Sequence, residues 1–463
     1  MTIIAETPAP HEEDQAPQEG VFSPGRRNLT LGIILSMLII AFESLAVATI
    51  LPQVADALNG LKLYGWSFSA FFVGFMIATV GLGSWADRSG PAKPYLTAIL
   101  FFAAGLLLAG LAPNMAVFIA GRAVQGFGGG GVVAVAYLAI NRGFPDELRA
   151  RVLALMSSAW VLPGLIGPSL ASALAVFLSW RGVFLGLLPL VLLAVFLTLP
   201  ALRRVVPAGT PIDASRLRAV CFAALGLVLG LAALSQRSPL PALGLGLLGA
   251  AVALPALRRL FGPVAYRLRR PLDAGFAVRL CLTFSFFGAE ALIPLSLQHL
   301  RGLTPWQSGL SLTGAALVWS ACSIGHSRLD ERTRGRLRPV ITGAGAVLIS
   351  LSLALTGWLI HVPLPVWTIT LAWALGGAGM GFAFQAHTLV VLKQAPEGQE
   401  GQVSGNLQLA DMLGSALGAG LAGALVAQIG VSLGSGWYLG LAALVAGLGV
   451  LIAPRLRGRT QVG

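Results

Sequence analysis

Long apolar runs, separated by short segments that carry arginine, follow one another from residue 29 to residue 453. A helix of about 20 apolar residues crosses the hydrocarbon core of a bilayer, because each residue advances the helix by ~1.5 Å. The pattern predicts an all-α integral membrane protein with fourteen transmembrane helices. The predicted spans are residues 29–51, 65–84, 93–112, 115–141, 150–177, 181–202, 217–234, 240–259, 275–298, 305–326, 338–360, 364–392, 402–429 and 434–453.

Composition supports a membrane protein, because 56% of the residues are hydrophobic and only 11% are charged. The formal net charge of +13 does not indicate a nucleic-acid partner, since the arginines form short clusters between apolar runs. Cys221, Cys281 and Cys322 all lie in apolar stretches and have neither disulfide nor metal-ligand spacing. We therefore expect no metal and no cofactor.

The basic residues predict an orientation. Of the 31 Arg and Lys, 25 fall on the side of the two termini, four on the other side and two within spans. Cytoplasmic loops carry the excess of basic residues, so both termini are expected in the cytoplasm and the chain in the cell (inner) membrane. The first 28 residues lack the apolar segment of a signal peptide and are expected to be disordered.

Landmark residues of the first half recur in order in the second half, which indicates an internal repeat. Glu43, Pro52 and Trp66 are followed by Glu290, Pro294 and Trp306, and the glycine run 126–131 by the run 376–381. Offsets of 240 to 257 residues relate the two copies. The repeat predicts two six-helix pseudo-symmetric halves, an architecture of transporters whose substrate sites lie between the halves. The expected divisions are an N-terminal tail (1–28), a first half (29–204), an inserted two-helix linker (205–272), a second half (273–455) and a C-terminal tail (456–463).

The glycine run itself, within GRAVQGFGGGG at 121–131, matches the order G-x-G-x-x-G of dinucleotide-binding loops. Such a loop must follow a strand in a βαβ unit, whereas this run lies in the middle of a predicted span. Small residues on a membrane helix allow a neighbouring backbone to approach closely. We therefore interpret the run as a helix-packing surface. The chain also lacks the GxxxxGK[ST] pattern of a P-loop.

Three further motifs carry a family resemblance. GSWADRSGPAK (83–93) is similar to the loop signature G-x-L-A-D-R-x-G-R-K, although Trp85, Pro91 and Ala92 depart from it. GRAVQG (121–126) resembles the element R-x-x-Q-G, and LPGLIGPSLAS (162–172) resembles the antiporter motif, with Ala171 and Ser172 in place of its closing glycines. The chain thus resembles the major facilitator superfamily, in its fourteen-span drug:proton antiporter branch.

The resemblance implies a cytoplasmic gate held by the loop signature and conformational roles for the other two motifs. The residues that match and inherit these expected roles are Gly83, Asp87, Arg88, Gly90, Gln125, Gly126, Gly167 and Pro168.

Ionisable residues within the spans are functional candidates, because a charge inside the membrane costs on the order of 3 kcal/mol. Glu43 and Glu290 each lie eight residues from the outer end of a span, or about 12 Å deep, and Arg122 lies about 10 Å deep. A carboxyl group in an apolar cavity has a raised pKa, because its charged form loses hydration, and can exchange protons at working pH. We hypothesise that Glu43 and Glu290 bind protons or a cationic substrate and that Arg122 modulates one of them. The alternative is that Arg122 only caps carbonyls or pairs permanently.

Three more ionisable residues lie within the predicted spans. Asp411 is either a second proton site or the partner of a nearby arginine at an inner gate, and the second reading is favoured. For His387 an interfacial position is favoured over a proton relay. Arg279 is expected to extend towards the cytoplasmic headgroups.

Aromatic residues of the second half suit a hydrophobic cation. Candidates for the cavity lining are Phe284, Phe287, Trp319, Trp373 and Phe384, with packing against lipid as the alternative for each.

The sequence therefore predicts a secondary transporter, acting as a monomer in the lipid bilayer, that exports amphiphilic small molecules in exchange for protons. The rival is the same fold moving one specific solute, such as a lipid, siderophore or sugar, with symport as an alternative to antiport. A membrane enzyme would need a clustered nucleophile or metal site, and the five histidines have no such spacing. A purely structural membrane protein would not carry a matched layer of buried charges.

Overall fold

The chain folds into apolar helices, as expected where backbone polar groups must be satisfied without water. The computed structural model describes residues 20–207, 209–262, 271–397 and 399–456, and no strand occurs among these residues. The helices are α1 (Arg27–Ala57), α2 (Tyr64–Ser89), α3 (Ala92–Gly110), α4 (Met115–Gly143), α5 (Asp146–Ser158), α6 (Val161–Leu178), α7 (Trp180–Leu185), α8 (Leu188–Leu202), α9 (Ala214–Leu234), α10 (Pro239–Phe261), α11 (Pro271–Arg301), α12 (Pro305–Thr333), α13 (Arg338–Leu359), α14 (Val366–Lys393) and α15 (Glu400–Ile452). The expected terminal tails lie outside the described residues, apart from residues 20–28 and Leu456.

Local signals in the sequence set several helix ends. The Asn114 side chain accepts a hydrogen bond from the Val117 amide (3.0 Å) and caps α4. Thr304 and Gln307 form a reciprocal capping box at the start of α12. Gly90 ends α2 with a φ of 88°, a conformation that glycine adopts without steric cost.

Thirteen helical segments of the described chain are long and apolar enough to cross a membrane, against the fourteen predicted. The last of them, Glu400–Leu456, covers both of the final predicted spans. Gly430 interrupts α15 with φ 83° and ψ 169°. Beyond it the chain turns back, because a Cβ on Gly434 would lie 2.7 Å from the amide nitrogen of Val426. We therefore describe α15 as a first arm (400–429) and a second arm (431–452) that pack against each other.

The two glycine runs bring helix backbones into close contact, which confirms the packing interpretation. A Cβ on Gly126 would come within 2.0 Å of the Phe71 carbonyl oxygen of α2. In the second run, a Cβ on Gly377 would come within 2.2 Å of the Ala315 carbonyl oxygen of α12. Substitution by any larger residue would force these helices apart.

One end of the molecule carries the first and last described residues and most arginines, and it is here called the arginine-rich end. The hydrogen bonds that join the helices before α9 to those after α10 lie away from this end. Tyr64 Oη donates to the Ala291 carbonyl (2.8 Å), and Ser69 Oγ donates to the Ala416 carbonyl (2.8 Å). Tyr64 and Ser69 lie in the first two turns of α2, far from the arginine-rich end of that helix. The two groups of helices are thus joined at the opposite end.

Candidate functional site

Glu43 of α1 and Arg122 of α4 form an ion pair in the interior, with side chains only 2% and 3% exposed. The Arg122 guanidinium also donates to Gln125 Oε1 (2.7 Å) and to the Ser67 carbonyl (3.2 Å). It lies 4.4 Å from the centroid of the Phe71 ring. The burial of this charge is therefore compensated by a carboxylate, two neutral acceptors and an aromatic face.

Small residues in the neighbouring helices make this arrangement possible. Gly105 of α3 lets the backbone of Gln125 approach so closely that a Cβ would lie 2.4 Å from the Gln125 amide nitrogen. Gly126 does the same for α2, so that Ser67 and Phe71 reach the guanidinium. Gln125 and Gly126, for which conformational roles were expected, thus both form part of the surroundings of Arg122.

Glu290 of α11 has a different environment. Its side chain is partly exposed, and the described residues provide it with neither an ion pair nor a hydrogen bond. The carbonyl of its neighbour Ala291 accepts the hydrogen bond from Tyr64, which lies one helical turn from Ser67. The first turn of α2 therefore connects the surroundings of Glu290 to those of Arg122, although no direct contact joins the two side chains in the described chain.

A wall of aromatic side chains extends from Glu290. Phe287 lies one turn before Glu290 and shares its helix face. Its ring centroid is 6.2 Å from that of Trp319 on α12, which is 5.8 Å from that of Phe384 on α14. All three rings remain partly exposed. Because the helices are joined at the opposite end, this surface is accessible from the arginine-rich end.

The other two candidate aromatic residues are buried. Phe284 packs against Tyr438 in the second arm of α15, with ring centroids 5.8 Å apart, and its carbonyl accepts a hydrogen bond from the Tyr438 hydroxyl (2.6 Å). Trp373 is fully buried and stacks on Phe286 at 4.6 Å. Both therefore lie behind the exposed wall in the described structure.

A second ion pair joins Arg279 of α11 to Asp411 of α15 at 2.5 Å. The guanidinium lies 3.4 Å from the centroid of the Phe384 ring and donates to Thr388 Oγ1 (3.0 Å). The expectation that Arg279 extends to the headgroups was wrong: its side chain is 5% exposed. A carboxylate and polar acceptors on adjacent helices offer this cation a better environment than the sequence of α11 alone suggests.

His387, which was expected near the membrane interface, packs inside the helix bundle. The side chain is fully buried, and Nε2 lies 2.8 Å from the Gly275 carbonyl oxygen of α11. Contact with a helix distant in sequence placed this ring in the interior. No group of three or more His, Cys, Asp or Glu in the described residues is placed to hold a metal ion.

The loop signature lies at the arginine-rich end of α2. Asp87 accepts a hydrogen bond from Arg142 of α4 at 2.6 Å, an ion pair that the sequence did not identify. Arg88 is exposed, and Gly90 ends the helix. The Cβ that Gly83 lacks would make an ordinary contact of 3.5 Å with Ala134. The signature therefore ties the ends of α2 and α4 together.

The antiporter motif lies where α6 meets α1 and α12. A Cβ on Gly167 would be 3.7 Å from the side chains of Phe42 and Leu45 on α1. Pro168 faces Gly309 of α12, and a Cβ on that glycine would be 3.0 Å from the proline Cβ. The motif thus stands at a junction between helices of the first and second halves.

Further contacts at the opposite end went unnoticed in the sequence. Gln298 Nε2 donates to the Thr49 carbonyl (3.2 Å), and His299 Nε2 lies 3.2 Å from Asp56 Oδ1. Each joins α11 to α1. A backbone carbonyl accepts the first of these hydrogen bonds, so the residue type at position 49 gives no signal in the sequence.

Comparison with known proteins gives one family. A sequence profile described as Major Facilitator Superfamily matches residues 32–369. The multidrug efflux pump SdrM of Staphylococcus aureus is 25% identical over 411 residues, which cover 86% of this chain and 89% of that protein. The multidrug transporter protein MdtP of Bacillus subtilis is 25% identical over 418 residues, covering 87% of this chain and 75% of that protein.

Solved structures with the same fold include a POT family transporter crystallised with a thioalcohol-conjugated peptide. It superimposes with a TM-score of 0.71 at 16% identity and covers 96% of this chain and 99% of that one. The human organic anion transporter MFSD10 gives a TM-score of 0.62 at 17% identity, covering 94% of this chain and 100% of that one. At these identities the similarity concerns the fold alone.

Proposed function

Since this chain belongs to the Major Facilitator Superfamily and is a multi-pass membrane transporter, we propose that it exports hydrophobic and cationic amphiphiles in exchange for protons. In this proposal the two arms of α15 cross separately, giving fourteen crossings arranged as two six-helix halves and the inserted pair α9–α10. The arginine-rich end faces the cytoplasm, in keeping with the distribution of Arg and Lys. The molecule works as a monomer in the cell membrane.

The observation that carries the proposal is the state of Glu290. It is an acid within a predicted span, it has no cationic partner among the described residues, and it lies next to partly exposed aromatic rings. A carboxylate in such a place requires a positive partner, which a proton or a bound organic cation can supply. The rings of Phe287 and Trp319 provide apolar surface and favourable contact for a cation of varied shape. Two relatives are named as multidrug transporters, which supports this substrate class.

Exchange follows if the carboxylate accommodates one positive charge at a time. A proton taken up from outside neutralises Glu290 and excludes the cation from that site. Release of this proton to the cytoplasm restores the carboxylate, which then binds a cation from the cytoplasmic side. Inward movement of each proton supplies about 2.3 kcal/mol per 100 mV of membrane potential.

The two ion pairs have supporting roles in this scheme. The pair of Glu43 with Arg122 couples protonation to conformation, because a proton on Glu43 removes the carboxylate that holds Arg122. Asp411 holds Arg279 beside Phe384 at the cytoplasmic side of the aromatic wall. Asp87 and Arg142 hold the ends of α2 and α4 at the cytoplasmic gate.

The test measures proton movement in proteoliposomes with an internal pH dye. The parent protein should move protons when tetraphenylphosphonium is added, and Glu290→Gln should lower this response at least about tenfold, because the neutral amide cannot exchange a proton or attract a cation. Glu331→Gln, which neutralises an exposed acid, is the matched control and should respond as the parent does.

Undiminished uphill export by Glu290→Gln would remove this residue from the mechanism. If the variant with both Glu43→Gln and Glu290→Gln also pumped at the parent rate, the exchange scheme would fail. A parent protein that responds only to a sugar or a lipid would favour the transporter of one specific solute.

A further inference from the structure

Arg279 and Glu290 lie on one face of α11, at opposite ends of the aromatic wall. They are eleven residues apart, which is three helical turns, so their side chains leave the same face about 16 Å apart along the helix axis. Phe287 lies one turn before Glu290, and the Arg279 guanidinium lies 3.4 Å from the centroid of the Phe384 ring. The ring of Trp319 lies between these two rings. The wall therefore begins at a carboxylate and ends at a guanidinium.

The guanidinium end of the wall is an ion pair that is complete in itself. Arg279 Nε lies 2.5 Å from Asp411 Oδ1, and Nη2 donates to Asp411 Oδ2 (3.2 Å). Both carboxylate oxygens thus face the same guanidinium, which is the arrangement of a strong arginine–carboxylate pair. Nη1 donates to the Phe384 carbonyl (3.2 Å) and to Thr388 Oγ1 (3.0 Å). The charge of Asp411 is therefore already compensated before any ligand arrives.

The carboxylates of the predicted spans differ in whether the protein supplies a cation. Glu43 is paired with Arg122, and Asp411 is paired with Arg279. Glu290 is partly exposed and receives neither an ion pair nor a hydrogen bond from the described residues. Within the described part of these spans, the protein thus offers one uncompensated negative charge, and it lies at one end of the wall.

This distribution of charge suits a ligand with one positive charge. A cation beside Glu290 is compensated by the carboxylate, and an apolar body can lie along the rings towards Phe384. A second cation at the far end of a long ligand would reach the pair of Arg279 and Asp411, where no free carboxylate remains. Arg279 also occupies one face of the Phe384 ring. Since a charge removed from water is costly unless it is paired, the second cation would weaken binding.

We propose that Arg279 restricts the substrates to amphiphiles with a single positive charge, which bind with that charge at Glu290. Long dications are rejected because Arg279 holds the only other carboxylate along the wall in the described chain. The proposal rests on the proposed function for the class of substrate, a lipophilic cation. It adds a residue that determines specificity by the number and spacing of charges.

Two probes that differ in one charge test this limit. Both carry a triphenylphosphonium group on a linker of ten methylene groups, and the linker ends either in trimethylammonium or in a tert-butyl group of the same shape. The measurement is the concentration of each probe that displaces half of the bound tritiated tetraphenylphosphonium from the protein in detergent at pH 8. The parent should require at least about tenfold more of the dication, because its second charge finds no acid. Equal concentrations would overturn the proposal.

The tert-butyl probe is also the more apolar of the two, so variants must show that charge causes the difference. Arg279→Gln leaves Asp411 as a second free carboxylate and should lower the ratio of the two concentrations at least about tenfold. Arg279→Lys keeps the positive charge and is the matched control, which should retain the parent ratio. The combination of Arg279→Gln with Asp411→Asn has no acid at this end and should also retain it. An unchanged ratio in Arg279→Gln, or an equal fall in either control, would overturn the role of Arg279.

Thr388→Asp provides a second test that keeps both members of the ion pair and does not depend on the folding of Arg279→Gln. The Thr388 hydroxyl lies 3.0 Å from Arg279 Nη1, so an acid at this position adds one negative charge to the same end of the wall. The ratio should again fall, and a parent-like ratio would contradict the proposal. Equal binding of both probes by a parent that binds tetraphenylphosphonium would refute the charge limit alone. A parent that binds no tetraphenylphosphonium would refute the proposed function and the limit together.

Discussion

Glu43 and Glu290 occupy matching places in the two copies of the sequence repeat, yet their surroundings differ. Glu43 is almost completely buried and paired with Arg122, whose remaining donors reach Gln125 and Ser67. Glu290 is partly exposed, beside aromatic rings, and has no cationic partner in the described chain. The first acid is thus held by an arginine, whereas the second has no such partner among the described residues.

The repeat explains the difference. The glycine runs are related by 250 residues, and the same offset relates Arg122 to Ala372. The second copy therefore keeps the acid without the arginine, and the next residue, Trp373, stacks on Phe286 of the acid's own helix. The second copy thus leaves one carboxylate without a paired arginine, as the proposed exchange of a cation for a proton requires.

The largest effect is expected from Arg122→Ala. It would leave the Glu43 carboxylate buried without its cation and should destabilise the protein by about 3–5 kcal/mol. The melting temperature in detergent measures this loss. Combining Arg122→Ala with Glu43→Gln, which removes the orphaned charge, should recover part of it. If the single variant melted at the same temperature as the parent, Arg122 would not be needed to compensate the burial of the Glu43 carboxylate.

A smaller effect is expected from Asp411→Asn. Arg279 would keep the Phe384 ring, the Phe384 carbonyl and Thr388, and Asp411 is already 14% exposed. The loss should be about 1–3 kcal/mol, measured by the same melting experiment, because an amide oxygen still accepts a hydrogen bond. A loss as large as that of Arg122→Ala would show that burial does not distinguish the two pairs. Asp330→Asn, in the last turn of α12, provides a comparison with a pair whose arginine is more accessible, since Arg338 is 21% exposed and Arg279 is 5% exposed.

The smallest effect on stability is expected from Glu290→Gln. The substitution leaves no described residue without its partner, so the free energy of unfolding should change by less than about 0.5 kcal/mol. The melting temperature in detergent measures this change. The same variant should nevertheless lose proton-coupled export. Tetraphenylphosphonium should raise the melting temperature of the parent but not of this variant, because a ligand stabilises only the state that binds it. A large destabilisation would reveal a structural role for Glu290 and remove the contrast with Glu43.

Much of the architecture followed from local features of the sequence. The lengths of the apolar runs predicted the helices, and the glycine runs predicted the close approach of a neighbouring backbone. The structure shows that the neighbours are α2 for the run in α4 and α12 for the run in α14. Residues whose environment comes from distant helices were harder. Arg279 and His387 were placed near the interface because each lies close to the end of its own span, whereas the structure buries both.

The sequence by itself determined that this chain is helical, lies in a membrane and carries acids at matched depths. Each segment that crosses the hydrocarbon core must on its own be apolar, long enough and hydrogen-bonded within its own backbone, so these properties can be read segment by segment. Only the tertiary structure decided which acid is paired, which aromatic rings stay accessible and that α9 packs against α2 and the first arm of α15. Those properties depend on side chains from helices far apart in sequence. A cation on one helix meets a carboxylate on another only when the packing of small residues brings their backbones together.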